Sequence, residues 1–474
     1  MKNQHQLLRQ LKVYGFENLE TVILASLITE DPILLIGKAG TGKTYLLNSI
    51  SEALDLKHRH YNASLISFDD LIGFPFPSED QQEVRFLPTP ATVWEAESVL
   101  IDELSRCKSE TQNKFFSIIH EKIIQGISLE TLRFRWAAMN PFAFTGDESE
   151  ESYTGSEPLD PALADRFAFV INVPDWCDIS REDQELIIFP EGEGAVSYDQ
   201  GELKMFVSQG RKLFLNRIAL PDHGLVMYCR LVTDFLNRSG VRISPRRARL
   251  LCRNIIAALV VSEISGESID NTRLKAIYKN VLRWSVPHRA YRENFPEHAI
   301  ESAHAEAIRL VLESNAEERW LTEFRLVPAL EQKLNLLINS SANGDIKSLA
   351  LLQLLNQETV SRKTAFAFAA FPILNKYNVF TEEAFNELTR IANEVLVFEG
   401  KMEWRENFND VHSVHPTWSE CQKIINELSA DECRANRAKH YFLFLLAHNH
   451  VLAAPQLAEQ ELNNLFTYVK ELIV

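Results

Sequence analysis

The run Gly37-Lys-Ala-Gly40-Thr41-Gly42-Lys43-Thr44 sets three glycines in a short turn and follows them with an ammonium and a hydroxyl. Glycines let the backbone curl until several N–H groups point at one spot, and a helix starting there adds its partial positive charge. The run fits the phosphate-loop pattern G-x-x-x-x-G-K-[ST]. Its chemistry is the cradling of a nucleoside triphosphate: backbone N–H groups from Gly37 to Gly42, Thr41 included, face the phosphates. Lys43 reaches the outer phosphates, and Thr44 holds Mg²⁺ through its hydroxyl. A purely structural turn would give no reason for Lys43 and Thr44 to follow it. The second half of such a site needs carboxylates on another strand, and Val99-Leu-Ile-Asp102-Glu103 supplies them after an apolar run. There Asp102 suits the metal's shell, and Glu103 suits orienting and activating an attacking water.

The elements that must position these groups follow from the same stretches. Ile33-Leu-Leu-Ile36 reads as a buried strand feeding the loop, and Tyr45-Leu-Leu-Asn-Ser-Ile50 continues a helix from it. Helices are expected over 1–13 and 17–29, the second ended by Glu30-Asp31-Pro32. Further strands are expected at 58–62, 99–103, 134–140 and 167–173, with a helix over 109–122 whose buried side is Phe115, Phe116, Ile118 and Ile119. A Pro/Phe-rich insertion at 74–90 carries a polar hairpin tip at 79–83, and a second, short hairpin passes through Gly126. Strands alternating with helices imply a parallel sheet covered on both faces, with ligands beyond the carboxyl ends of the strands. The phosphate loop, Glu103 and Asn140 all fall there. Past about Pro174 the strand signals cease and the chain reads as helical.

At 474 residues the chain is too long for one core. Its 46% hydrophobic and 24% charged content is that of an ordinary globular protein, and a net charge of −16 argues against general nucleic-acid binding. Six cysteines are scattered without a C-x-x-C pair, which reads as buried free thiols in a reducing cytoplasm. The opening residues read as an amphipathic helix and no apolar run reaches 18 residues, so neither a signal peptide nor a membrane span is expected.

Taken in order, the motifs resemble those of the AAA+ ATPases, and closely those of the MoxR-type branch, over roughly residues 10–290. Tyr14-Gly15 resembles the glycine before the family's first core helix. Phe68-Asp-Asp-Leu-Ile-Gly73 looks like the short motif before its insertion. Asp102-Glu-Leu-Ser-Arg106 resembles its D-E-x-N-R, with Ser105 in place of Asn. Ala138-Met-Asn140-Pro141 resembles its sensor-1 strand end, Leu163-Ala-Asp-Arg166-Phe167 its arginine-finger segment, Ile243-Ser-Pro-Arg246 its sensor-2 motif, and Pro287-His-Arg289 the close of its lid. The resemblance implies that Asn140 holds the water or γ-phosphate and that Arg166 stabilises the γ-phosphate of a neighbouring subunit. It also implies that Arg246 contacts nucleotide phosphates. Arg242, Arg247 and Arg249 lie close by, so the choice of Arg246 rests on the motif. Arg106 reads equally as a contact to an adjacent subunit or the nucleotide and as a surface or helix-capping residue.

The expected fold class is therefore α/β: an AAA+ parallel sheet core over 1–174, a helical lid over 175–290, and an all-α C-terminal domain over 291–474. The expected cofactors are ATP and Mg²⁺. The resemblance implies a homo-hexameric ring that remodels a protein client, in company with a von Willebrand factor A domain protein. A nucleic-acid motor or a GTP-driven restriction-type subunit is the alternative, opposed by the charge and by the lack of an Asn-x-x-Asp guanine motif after Met139-Asn140. A slow, scaffold-like binding switch is a third, opposed by Glu103 and Arg166. The acidic loop at 147–160 reads as solvated or partner-facing. His412 and His415 have a metal-like spacing without partner ligands. His448 and His450 read as helix C-terminal caps, 364–371 as core, and Ser429-Ala-Asp-Glu432 as a capping box.

Overall fold

The computed structural model describes residues 6–77, 84–87, 89–107, 112, 115–142, 155–189, 201–292, 294–377, 379–399, 416–450 and 452–473. The chain divides into two compact units, Met1–Leu312 and Glu313–Val474.

The first unit is built on a five-stranded sheet. Its strands are β1 (Ile33–Ile36), β2 (His58–Asn62), β5 (Ser98–Asp102), β8 (Phe134–Met139) and β9 (Phe169–Asn172), in the order β2-β5-β8-β1-β9. Every pairing in this sheet is parallel. Every residue of β1 and β8 is buried, as strands covered on both faces require, whereas edge strand β2 carries His58, Arg59, His60 and Asn62. Because all five run the same way, their carboxyl ends share one edge, where the loop after β1, Asp102 at the end of β5 and Asn140 after β8 fall together. Strand β8 lies between β5 and β1, so Asn140 stands between the acidic pair and the phosphate loop.

Two small hairpins leave this core. Strands β3 (Phe74–Pro77) and β4 (Val84–Leu87) pair antiparallel within the expected insertion, whose tip lies outside the described residues. Strands β6 (Ile123–Ile124) and β7 (Ile127–Ser128) form the second. The helices Glu202–Ala219, His223–Arg238, Pro245–Ile264 and Asn271–Ser285 follow β9, and Pro245–Ile264 packs on Glu20–Thr29. A fully buried Arg247 ties this helical part to the sheet. Its guanidinium donates to the carbonyls of Phe167 and Ser285, while Asn254 Nδ2 donates to the Ala168 carbonyl at 3.0 Å. Carbonyl oxygens thus replace the water that a buried cation gives up.

The helix Glu297–Leu312 packs on His223–Arg238 and Asn271–Ser285, so the first unit ends at Leu312, beyond the expected limit at 290. Among the described residues the second unit is all helical, from Ala316–Leu326 to Pro455–Ile473, with its own core around Phe324, Leu351, Phe366, Leu388, Tyr441 and Leu465. Phe366 is buried there, and Phe368 and Phe371 pack against the core, in line with its sequence reading.

Several local expectations change. Among the described residues the first helix is a single turn, Leu7–Gln10. The helix expected over 109–122 closes as a π-helix over Ser117–Glu121, and Phe116 is only partly buried, with Arg166 over its ring. Asp431, not Ser429, caps Glu432–Ala447, because its carboxylate accepts the Arg434 N–H. His448 caps the end of that helix, with Nδ1 2.8 Å from the Phe444 carbonyl. Cys107, Cys229 and Cys421 are buried, but Cys177 and Cys433 are exposed. Residues 147–154, His412 and His415 lie outside the described residues. Among the described residues, no helix is long and apolar enough to cross a membrane, and no cluster of His, Cys, Asp and Glu could by itself hold a metal.

Candidate functional site

The loop after β1 is shaped by what a side chain would meet. A Cβ on Gly37 would come within 2.3 Å of Val173 Cγ2, and the Gly37 N–H is donated to the Met139 carbonyl at 3.2 Å. Gly37 therefore serves the loop through its lack of a side chain. Gly40 and Gly42 take φ values of +81° and +80°, which L side chains rarely adopt, and the space off both is open. Thr41 Oγ1 donates to the Lys38 carbonyl at 2.9 Å and steadies the turn. The helix Lys43–Ala53 then starts on Gly42 with no side-chain cap and no acidic residue in its first turn. Its first N–H groups and the positive end of its dipole are left to face the loop.

Lys43 folds back across this cradle. Its Nζ donates to the carbonyls of Gly37 and Lys38, each at 2.7 Å, and to Asn140 Oδ1 at 3.3 Å. Burial pulls the ammonium below its ordinary pKa, and Asp102 and Glu103 pull it back up. Thr44 Oγ1 donates to Asp102 Oδ2 at 2.7 Å, a contact that joins residues 58 positions apart. Asp102 Oδ1 accepts the Glu103 N–H at 2.8 Å, and His60 Nε2 lies 3.4 Å from Oδ2. Burial raises the Asp102 carboxyl, but His60, Thr44 and the Glu103 N–H together outweigh it and hold the group below its usual range.

Glu103 sits at φ 55°, a left-handed conformation costing a non-glycine residue about 1–2 kcal/mol. Such strain persists where surrounding contacts fix it. Here Glu103 Oε2 accepts from Arg106 Nη1 at 3.4 Å and from Ser64 Oγ at 3.5 Å. Ser105 is buried and accepts a 2.8 Å bond from Ser156 Oγ, which also donates to the Asn140 carbonyl at 3.3 Å. The Ser at 105 is thus a fixed part of the scaffold under Asn140.

The two arginines singled out in sequence stand together. Arg246 Nη1 donates to Asp165 Oδ2 at 3.1 Å, and Ser244 Oγ donates to both oxygens of the same carboxylate. Arg166 follows in the chain, donating from Nη1 to the Ala162 carbonyl at 2.6 Å, with its guanidinium 4.3 Å from the centre of the Phe116 ring. Burial and the nearby Arg246 cation both press on its charge. The contacts of Arg246 and Arg166 join them to each other's surroundings and not to Lys43, Thr44 or Asp102.

Beside the loop lies a cavity of about 360 Å³. One wall is Val13, Tyr14 and Phe16, a second is Gly40 to Gly42 with Tyr45, and the third is Trp176, Ile179, Leu186 and Ile187. Apolar walls next to a phosphate cradle suit a flat base. The sequence reading missed this third wall and also His60. For His60 a signal was present, since β2 alternation puts it on the same face as Asn62, one strand from Asp102.

Compared with known proteins, residues 32–167 match the family model described as AAA domain (dynein-related subfamily). The chain is 28% identical over 225 residues to an uncharacterized protein of Staphylococcus aureus strain bovine RF122 / ET3-1, and 29% identical over 225 residues to another from strain USA300. Each match covers 42% of this chain and 78% of the relative. A solved structure of a "putative ATPase" from Cytophaga hutchinsonii ATCC 33406 is 18% identical, with a TM-score of 0.45, over 65% of this chain and 93% of that one.

Proposed function

With an AAA domain over residues 32–167 as the premise, we propose that the chain is an ATP-hydrolysing, Mg²⁺-dependent remodelling ATPase of MoxR type that works as a cytoplasmic homo-hexameric ring on a protein client. The observation that carries the reading is the 2.7 Å contact of Thr44 with Asp102. It brings a hydroxyl and a carboxylate, both hard oxygen donors, to one point beside an uncapped helix start. These donors fit Mg²⁺, which takes one or two protein oxygens and completes its shell with substrate phosphates and water. When bound, the cation neutralises charge on the outer phosphates.

The chain's own residues do the rest. Lys43 exchanges its carbonyl partners for phosphate oxygens, and Asn140 stays beside it to orient the γ-phosphate or the attacking water. Glu103 takes a proton from that water once its oxygen leaves Arg106 and Ser64. Arg166 and Arg246, which share the surroundings of Asp165, serve the nucleotide of the neighbouring subunit. The base rests against Tyr14 and Ile179.

Client contact falls to surfaces the site does not use. Phe74, Phe76 and Leu87 stand exposed on one small hairpin, with Phe74 and Leu87 directly opposite each other. They suit an apolar stretch of polypeptide. The MoxR resemblance implies a companion protein with a von Willebrand factor A domain, and its recognition is assigned to the second unit. The test is turnover of ATP and GTP by wild type and Glu103→Gln, with and without DNA. Mg²⁺-dependent ATP turnover lost in the variant and indifferent to DNA is the expected result. GTP preference or DNA stimulation overturns the reading.

A further inference from the structure

Two ion pairs reach out of the third wall of the base-side cavity, one to each of the other walls. Lys38 Nζ, on the phosphate loop, lies 3.1 Å from Asp175 Oδ2. Arg9 Nη1, on the N-terminal segment, lies 2.7 Å from Asp183 Oδ1. The two differ in weight. Lys38 and Asp175 are both nearly half exposed, and such pairs contribute little. The Asp183 side chain is only 4% exposed, and a buried carboxylate whose cation is removed is left with an uncompensated charge.

Arg9 is well placed to act on the cavity. It precedes Lys12, Val13 and Tyr14 of the first wall, and its guanidinium lies 5.6 Å from the centre of the Tyr14 ring. Glu17 adds a second carboxylate at 3.4 Å. The segment is fixed from its other side, where the Leu8 N–H donates to Glu20 Oε1 at 2.9 Å. Asp183 opens the helix Arg181–Ile188, exchanging hydrogen bonds with Ser180, and the same helix brings Leu186 and Ile187 into the third wall. The loop N-terminal to this helix brings Trp176 and Ile179. A single guanidinium therefore spans from the wall that carries Tyr14 to the helix that closes the opposite side, without lining the cavity itself.

We infer that Arg9, through Asp183, is a positioning residue that clasps the base side of the nucleotide pocket and sets how long a nucleotide stays bound. The inference rests on the nucleotide reading of the site. With the clasp closed, apolar side chains of the N-terminal segment and of the post-β9 helix face each other across the base. With it broken, the helix loses its tie to the N-terminal segment, and the base can leave while the phosphate cradle stays intact.

A ligand without a base separates this role from a general structural one. Inorganic triphosphate uses the loop and the strand-end groups beside it but neither apolar wall, so its affinity is independent of the clasp. The experiment measures dissociation of mant-ATP from the full-length chain by stopped-flow fluorescence, and triphosphate affinity by competition. It compares wild type, Arg9→Ala, Arg9→Lys and the near-isosteric Asp183→Asn, with circular dichroism confirming the fold. Arg9→Ala and Asp183→Asn are expected to release mant-ATP on the order of tenfold faster, the loss of one ion pair to a buried carboxylate. Triphosphate affinity stays within about twofold in both, and Arg9→Lys recovers most of the slow release. Wild-type release rates in Arg9→Ala and Asp183→Asn, or equal weakening of mant-ATP and triphosphate, overturn the clasp alone. Should Arg9→Ala misfold, Asp183→Asn and Arg9→Lys decide by the same two ligands. A wild-type chain that binds neither ligand overturns the nucleotide reading and the clasp with it.

Discussion

Arg246 Nη1 lies 3.1 Å from Asp165 Oδ2, and Asp165 is the residue immediately before Arg166. The carboxylate holds one arginine and adjoins the other, so both guanidiniums belong to one surface. Ser244, the N-cap of Pro245–Ile264, binds the same carboxylate and fixes where Arg246 starts. If that surface faces a neighbour's nucleotide, removing either cation should lower turnover on the order of 10³-fold, with binding to the chain's own loop retained. Mixing Arg166→Ala or Arg246→Ala chains with Glu103→Gln chains should restore part of the activity, since each supplies what the other lacks. Specific activity should also rise with protein concentration. A dilute monomer turning over ATP at the full rate would sink the scheme.

The phosphate loop and the acidic pair separate binding from chemistry. Lys43→Ala should abolish nucleotide binding, because Lys43 is the ammonium folded across the cradle. Glu103→Gln should bind normally and lose about 10²–10⁴-fold in turnover, since an amide cannot take the proton. Thr44→Ala should raise the Mg²⁺ concentration needed for half-maximal turnover more than it raises the Kd for nucleotide. Equilibrium binding of mant-ATP beside a phosphate-release assay reads all three. Near-normal hydrolysis by Glu103→Gln would mean another group is the base.

These groups were legible because their types are dictated by chemistry and their spacing by a strand and a turn. Asp102 and Asn140 lie at the ends of apolar runs, Lys43 and Thr44 open the helix that follows a glycine turn, and parallel pairing then brings the strand ends together. Arg246 shows the limit. The motif resemblance implied phosphate, but only the fold reveals that Asp165 holds this arginine beside Arg166. Arg247, one residue on, is a buried tie to the carbonyls of Phe167 and Ser285, and apart from the motif resemblance nothing local distinguishes the two. The third cavity wall was missed for a similar reason. Trp176, Ile179 and Ile187 are ordinary apolar residues whose common direction is set by tertiary packing. The end of the first unit at Leu312 depends on how Glu297–Leu312 packs, while the sequence shows only another amphipathic helix.

The first unit should be sensitive to acid. Burial lowers His58, His288 and His304 to a pKa of about 4, with nearby cations such as Arg292 beside His288 and Lys279 beside His304 adding to the effect. The folded state holds these rings neutral, whereas the unfolded chain protonates them near 6.5. Their contribution is therefore complete above pH 6.5 and is lost as the pH falls from there toward 4, at about 1.4 kcal/mol per unit for each ring. His288 is fully buried, neither ring nitrogen has a hydrogen-bond partner among the described residues, and its ring lies 5.2 Å from that of Tyr291. His288→Phe keeps the ring contact and removes the proton site, so it should be near neutral at pH 7.5 and more stable than wild type at pH 5. Urea unfolding at the two pH values checks this, and an unchanged difference between them would refute it.

The last prediction concerns the second unit. It has its own core, with Phe324, Phe366 and Tyr441 fully or almost fully buried within it, and the first unit contains every residue assigned to nucleotide chemistry. A chain ending at Leu312 should therefore bind ATP and keep some hydrolysis. Ending it at Arg289 should do worse, because that removes Glu297–Leu312 and breaks the hydrogen bond between His304 Nδ1 and the Tyr228 hydroxyl, 2.8 Å long and buried. It would also expose the faces of His223–Arg238 and Asn271–Ser285 that Glu297–Leu312 covers. If recognition belongs to the second unit, the chain ending at Leu312 should lose its companion protein in a pull-down that the full-length chain passes. Retention of the companion would move recognition to the first unit, where the exposed Phe74, Phe76 and Leu87 hairpin is the next surface to test. Phe76→Ser should then release the companion while nucleotide binding, which that hairpin does not touch, stays as it was.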